Sequence, residues 1–222
     1  LARSLHLPLV VGATQALLKV NDGDVLVIDG ATGLVVLEPN AADLRAHHKR
    51  MTEARRERRA LNRLRREPSR TLDGVDIKLW ANAESRDDVT EAHALGAAGV
   101  GLYRTEFLFM GSNELPDEEM QFRAYRDAVI AMTGRTVTIR TLDLGADKAD
   151  KTGLALRDEP NPALGLRGVR LSLAREGLLR TQLRAMARAS GYGPLRALVP
   201  MVSGYEEMRT VRTALDAVMV EL

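Results

Sequence analysis

Apolar residues in this chain come in short closed runs, and the runs change character near residue 70. Ahead of that point, residues 7–11, 25–28 and 34–37 are brief and rich in Val, Leu and Ile. The last two flank Asp29-Gly30-Ala31-Thr32-Gly33, whose glycines suit the positive φ of a hairpin loop, and Pro39 ends the second run. This predicts one hairpin and one extra strand, too little to fold by itself. Residues 1–40 therefore read as the end of a domain whose larger part lies upstream. Residues 41–67 contain no Gly or Pro and are dense in Ala, Leu, Arg and Glu, which predicts a single long helix. Leu44, Met51, Leu61 and Leu64 give it only a thin apolar stripe, the pattern of a helix that bridges domains.

Beyond residue 71 strands and helices alternate. Continuous apolar runs at 77–81, 99–103, 136–140 and 195–199 are each followed by a helical pattern, over 87–95, 117–132, 166–190 and 205–222. Pro116 and acidic residues mark the start of the second helix, and Gly96, Gly134 and Gly191 mark stops. Continuous rather than alternating strands point to a parallel sheet covered by helices. The expected class is α/β, with residues 71–222 forming four βα units, half of a (β/α)8 TIM-type barrel. Half a barrel leaves strand edges unpaired, so about four more units are expected past Leu222.

Composition narrows the chemistry. Apolar residues make up 45% of the 222 and aromatics only 4%, so the core is one of Leu, Val and Ala. The absence of cysteine excludes disulfides and thiolate zinc sites, and fits a reducing compartment. No apolar run approaches the roughly 20 residues of a membrane span. Net charge is +2, but residues 45–70 alone carry +8, leaving −6 for the rest. Such a segment could bind nucleic acid. No aromatic side chains interleave the arginines, so a solvated, arginine-rich helix is the favoured reading.

Candidate chemistry collects after the strands. Arg104 closes Val100-Gly101-Leu102-Tyr103, Arg140 closes Val137-Thr138-Ile139, and Arg167 follows Asn161-Pro162-Ala163-Leu164-Gly165-Leu166. In parallel βα folds the strands' C-terminal ends carry the active site, and Asn82 falls there too. A guanidinium is a permanent fork that matches phosphate or carboxylate oxygens two at a time. Three of them at equivalent positions suit a small, highly charged anion such as a phosphorylated carboxylate, and the start of the helix after Arg167 would add backbone N–H groups. Glu106 is a candidate to orient Arg104. Asp143, Asp147 and Lys148 lie in a long polar loop at 143–162, where Lys148 could assist phosphate binding or simply form an ion pair. His47 and His48 are helix neighbours that point apart, a poor metal pair, and His93 reads as structural. Neither a metal-ligand cluster nor a glycine-rich nucleotide loop is present in the sequence.

These motifs carry a resemblance. Gly99-Val100-Gly101-Leu102-Tyr103-Arg104-Thr105-Glu106-Phe107-Leu108-Phe109 resembles the signature of the phosphoenolpyruvate–protein phosphotransferases, the enzyme I family of the phosphotransferase system. Ile139-Arg140-Thr141-Leu142-Asp143-Leu144-Gly145-Ala146-Asp147-Lys148 is similar to that family's next segment. Residues 161–170 resemble a third, shared with pyruvate phosphate dikinase and phosphoenolpyruvate synthase, and residues 24–39 resemble the end of a phosphohistidine domain. The resemblance covers essentially the whole chain. It implies that residues 1–40 end a phosphohistidine (swivelling) domain, that 41–70 are a linker helix, and that 71–222 are the first half of a phosphoenolpyruvate-binding barrel. Arg104 and Arg140 would bind the phosphate or carboxylate of phosphoenolpyruvate, and Arg167 the transferring phosphoryl group. That group would pass to a histidine and on to a histidine phosphocarrier protein.

The resemblance also implies what lies elsewhere. The family's phosphorylated histidine precedes the segment resembling Leu1-Ala2-Arg3-Ser4, and His6 is not its equivalent. The Mg2+-binding carboxylates and the acid cysteine belong to the second half of the barrel, beyond Leu222, and the subdomain that docks the phosphocarrier is missing. No catalytic residue and no metal ligand is therefore expected here. The chain reads as a middle fragment, inactive alone, of a cytoplasmic and homodimeric enzyme. A dikinase or synthase is the first alternative, and a non-catalytic interaction module using the basic helix is the second.

Overall fold

The computed structural model describes residues 7–65, 67–110, 114–145 and 159–222, and the chain divides into two compact units, Leu1–Glu67 and Pro68–Leu222. In the first unit a short helix α1 (Thr14–Leu17) precedes an antiparallel hairpin of β1 (Leu26–Asp29) and β2 (Leu34–Leu37), paired from Leu26↔Leu37 to Asp29↔Leu34. Asp29 belongs to the strand and organises the turn, its Oδ1 accepting from the N–H groups of Ala31 and Thr32. Helix α2 (Ala41–Leu64) starts at Asn40, where a reciprocal cap with Asp43 satisfies the first free N–H groups. None of its residues is buried, in keeping with the thin stripe. Arg50 reaches Asp29 at 3.1 Å and ties helix to hairpin. The expected strand at 7–11 does not form. Residues 7–10 take no regular structure, and Leu7 and Val11 are left 59% and 87% exposed.

The second unit is a four-stranded sheet in the order β3-β4-β5-β6 with every pairing parallel. Its strands are β3 (Ala81–Ala83), β4 (Val100–Tyr103), β5 (Val137–Arg140) and β6 (Leu195–Leu198). Between them run α3 (Arg86–Ala94), then α4 (Glu106–Phe109) and α5 (Glu118–Ala131), then α6 (Gly168–Ala174) and α7 (Glu176–Ser190), and α8 (Tyr205–Glu221) closes the chain. Helix α3 packs on α5, α5 on α7 and α7 on α8, the order of the strands they follow. The main core lies where Val100, Tyr103, Val137 and Ile139 of the sheet meet Val89, Tyr125, Val129, Met132 and Met186 of the helices. Val169, Leu179, Leu183, Val211 and Val218 form another between α6, α7 and α8.

Two expectations shift. The run at 77–81 becomes strand only at its last residue, because pairing with β4 begins at Ala81, and this sets Asn82 inside β3 instead of beyond it. Residues 166–190 are two helices, broken at Arg175, whose φ of −127° and ψ of 67° are not helical. The break lets α6 lie on α8 while α7 lies on α5. The helix expected at 117–132 forms as α5, with Asp117 as its cap.

On the sheet, Gly99 lies so close to its neighbours that a Cβ would sit 2.3 Å from the Trp80 ring and 2.6 Å from the Thr136 carbonyl oxygen. The ring can move, but the carbonyl belongs to the adjacent chain segment and accepts from Val100 N–H. Gly99→Ala should therefore destabilise the fold by about 1–3 kcal/mol, measured by urea unfolding, and an unchanged midpoint would refute this packing.

The outer layer is joined by charge. Glu118 accepts from Arg184 Nε and Arg188 Nη1, Glu119 from Arg188 Nη2, and Glu221 from Arg184 Nη1, each at 2.8 Å. Burial raises the Glu118 pKa, yet the hydrogen bonds from Arg184 and Arg188 outweigh it and hold the carboxyl below the ordinary glutamate value. Hydrogen bonds from Arg188 and Arg123 do the same for Glu119. A carboxyl whose pKa is depressed by folding contributes stability above its unfolded value and loses it as pH falls through the folded one. The melting temperature should thus hold down to about pH 5 and fall towards about pH 3. Glu118→Gln should lower it at neutral pH and make that acid decline shallower, which circular-dichroism melts can test. An identical acid decline in the variant would count against the network.

Candidate functional site

All four strands are parallel, so their C-terminal ends share one rim of the sheet. Glu84 follows β3, Arg104-Thr105-Glu106 follows β4, and Arg140-Thr141-Leu142-Asp143 ends and follows β5. Pairing of Tyr103 with Ile139 sets Arg104 and Arg140 one step further along neighbouring strands. Strand spacing is about 4.8 Å, so both guanidinium groups start from adjacent points. Arg167 reaches the rim by another route, as the extended residue immediately before α6. Its neighbour Gly168 has φ +56° and packs so tightly that a Cβ would lie 2.8 Å from the Met201 side chain and 3.1 Å from the Pro200 carbonyl oxygen. Only glycine fits there. Val169 N–H donates to that same carbonyl, so the turn after β6 fixes where Arg167 stands.

Below the rim, Phe109 of α4, Leu142 and Leu144 after β5, and Leu171 of α6 form one fully buried cluster. Three segments bearing rim side chains are thus pinned to a common apolar floor.

Asp143, 9% exposed, stands between two arginines. Its Oδ2 lies 3.2 Å from Arg140 Nη1, and its Oδ1 accepts from Arg167 Nε at 3.0 Å. Glu106 holds the other side of Arg140, with Oε1 accepting from Arg140 Nη2 and from Asp143 N–H, each at 2.9 Å. Arg140 Nε and Glu106 Oε2 are buried and find no hydrogen-bond partner among the described residues. Arg104 is not in this cluster. It donates from Nη1 to Glu84 Oε1 at 2.7 Å, and both side chains are substantially exposed.

The structure therefore brings Arg140 and Arg167 together through Asp143 and keeps Arg104 on a separate partner. Glu106, expected to orient Arg104, orients Arg140 instead, because α4 begins at Glu106 and turns its carboxylate toward β5. At the start of α6, a helix of seven residues, the Val169 N–H is already engaged by the Pro200 carbonyl oxygen. Asn82 is exposed within β3. Asp147, Lys148 and His6 lie outside the described residues. His93 has a structural role, its Nε2 lying 2.6 Å from Thr133 Oγ1. Among the described residues no group of three or more His, Asp or Glu side chains could hold a metal ion, and no helix is long and apolar enough to cross a membrane.

Behind the rim lies a polar chain that the motif reading did not include. Thr105, Gln121, Tyr125 and Gln182 are all fully buried and hydrogen-bonded to one another. Burial drives the Tyr125 hydroxyl pKa well up, and that of Tyr103, facing Asp88 and Asp127, to about 12, so both stay protonated. One signal existed for Gln182: it lies on the apolar stripe of α7 with Leu179, Leu183 and Met186. Nothing local pointed to Glu84.

Residues 58–222 match the family model described as PEP-utilising enzyme, PEP-binding domain, and residues 1–33 match that described as PEP-utilising enzyme, mobile domain. The chain is 49% identical over 209 residues to a phosphoenolpyruvate-protein phosphotransferase of Cupriavidus necator, covering 93% of this chain and 36% of the relative. Relatives of the same name from Geobacillus stearothermophilus and Staphylococcus aureus are 41% and 40% identical over 215 residues, 97% of this chain and 37% of each. The chain thus spans little more than a third of the length of these relatives.

The two kinds of arginine pair should differ in energy. Asp143→Ala leaves two guanidinium groups facing each other at a largely buried point and should cost about 3 kcal/mol, whereas Glu84→Ala breaks an exposed pair and should cost less than about 1 kcal/mol. Chemical denaturation of both variants measures the difference, and equal losses would contradict the burial contrast.

Proposed function

Because the chain belongs to the family of phosphoenolpyruvate-utilising enzymes, we propose that it is the central part of a phosphoenolpyruvate–protein phosphotransferase and carries that enzyme's substrate-binding arginines. On this reading residues 1–40 end the phosphohistidine swivelling domain, 41–70 link it to the next, and 71–222 form the first half of a (β/α)8 barrel. Arg140 and Arg167 would grip the phosphoryl end of phosphoenolpyruvate, and Arg104 would leave Glu84 to bind its phosphate or carboxylate. The observation that carries the proposal is the clamp of Arg140 and Arg167 on Asp143 at the C-terminal rim of a parallel sheet.

The chemistry asked of these side chains is electrostatic. In the transfer the bond between phosphorus and the enol oxygen breaks, the enolate departs, and a histidine nitrogen takes the phosphoryl group. Charge spreads over the phosphoryl oxygens, and guanidinium groups already held in place stabilise it without reorganising. Among the described residues no cluster of side chains composes a magnesium site; on this reading the Mg2+ of the whole enzyme and its phosphorylated histidine would both belong to parts outside this chain. The partners are then phosphoenolpyruvate, a histidine phosphocarrier protein and a second copy of the enzyme, in the cytoplasm, and these 222 residues alone are inactive. The names of the relatives favour this reading over a pyruvate phosphate dikinase or a phosphoenolpyruvate synthase.

Arg140→Ala in the full-length enzyme should slow self-phosphorylation by phosphoenolpyruvate by the equivalent of about 2–4 kcal/mol. Transfer of label from phosphoenolpyruvate measures this, and a near-normal rate would discard the assignment of Arg140. Labelling from ATP in place of phosphoenolpyruvate would favour a dikinase.

A further inference from the structure

Gln182 is a carboxamide on the inner face of α7 with no exposure to solvent. Such a group is costly to bury unless each of its donors and acceptors is met, and here each is. Its Oε1 accepts from Leu142 N–H at 2.9 Å, while its Nε2 donates to Tyr125 Oη at 3.0 Å and to Thr105 Oγ1 at 3.3 Å. The amide has one possible orientation, because a backbone N–H can only donate. The directions then propagate. Thr105 Oγ1 donates onward to the Arg140 carbonyl oxygen at 3.0 Å, Tyr125 Oη to Gln121 Oε1 at 3.1 Å, and Gln121 Nε2 to the Pro116 carbonyl oxygen at 2.9 Å.

The residues joined are informative. Thr105 is next to Arg104, and Leu142 lies between Arg140 and Asp143. One side chain from a distant helix thus bridges the loops after β4 and β5, which carry two of the three arginines. Glu106 makes a comparable bridge through Arg140 Nη2 and Asp143 N–H, but it belongs to the first of those loops. Gln182 belongs to neither and joins both.

We infer that Gln182 is a positioning residue for the phosphoenolpyruvate site, setting the spacing of the Arg104 and Arg140 loops without touching the ligand. This rests on the function proposed above. The same bridge explains why a polar residue occupies the apolar stripe of α7: a hydrocarbon there would pack against the helices equally well but would leave Leu142 N–H without an acceptor.

The test is equilibrium binding of phosphoenolpyruvate to the full-length enzyme, well below the melting temperature. Gln182→Met keeps the length of the side chain and removes every hydrogen bond. Its dissociation constant should rise about tenfold or more, the scale on which small misplacements of binding groups act. Thr105→Val should weaken binding similarly, Thr105→Ser should restore it, and the double variant Gln182→Met with Thr105→Val should be little worse than either alone. Val218→Ala, cut into the core beside α8 away from the rim, should lower the melting temperature and leave the dissociation constant unchanged. Normal binding by both Gln182→Met and Thr105→Val would reduce the bridge to core structure and overturn the inference, leaving the proposed function intact. Failure of the unaltered enzyme to bind phosphoenolpyruvate would overturn both.

Discussion

A single carboxylate makes the rim possible. Two guanidinium charges about 6 Å apart, one on either side of a carboxylate, repel by about 3 kcal/mol at an effective dielectric near 20. Arg140 and Arg167 could not share this corner without Asp143 between them. Asp143, at 9% exposure, in turn has a guanidinium on each side of its carboxylate. The three charges are mutually conditional, and the surrounding structure serves to hold them. Glu106 fixes the far side of Arg140 and the Asp143 backbone, Gly168 delivers Arg167, and the Phe109, Leu142, Leu144 and Leu171 cluster keeps their segments level.

The alternation of strand and helix was legible because buried parallel strands are continuous apolar runs, and 99–103, 136–140 and 195–199 stand out from the helical periods between them. The arginines were legible because each follows such a run or its loop. What could not be read was pairing over distance. The run at 77–81 looks like the other strands, but which residues enter the ladder depends on where β4 lies, and β4 takes Ala81–Ala83. Glu106 stands two residues from Arg104, so in a continuing strand it would share that face; the chain becomes helical at Glu106 and the face is lost. Glu84 is twenty residues from Arg104 in sequence and one strand away in space. The break at Arg175 has neither Pro nor Gly at the site to announce it.

The first unit follows different physics. Helix α2 buries no residue, so its order is supported by its Asn40–Asp43 cap, the Asp29–Arg50 pair and the high helix propensity of Ala, Arg, Leu and Glu. Exposed arginines on such a helix remain hydrated, and without Phe, Tyr or Trp among them there is no surface on which bases could stack. The positive charge concentrated at 45–70 therefore fits a solvated helix better than a nucleic-acid surface.

Charge balance at the rim bears on how it could hold an anion. Glu84, Glu106 and Asp143 each engage at least one of the three arginines, so attraction cannot rest on a surplus of positive charge alone. It must rest on donors whose directions are set in advance. Arg140 satisfies that condition most fully, gripped by two carboxylates with its side chain only 20% exposed. Arg104 satisfies it least, since an exposed pair such as Arg104–Glu84 stores at most about 1 kcal/mol and a ligand oxygen could replace Glu84 at little cost. On the proposed reading, Arg140 and Arg167 are a fixed floor and Arg104 is an arm that exchanges one carboxylate for another. That division follows from burial alone: the same pairing of Arg with Glu is rigid where water is excluded and exchangeable where it is not.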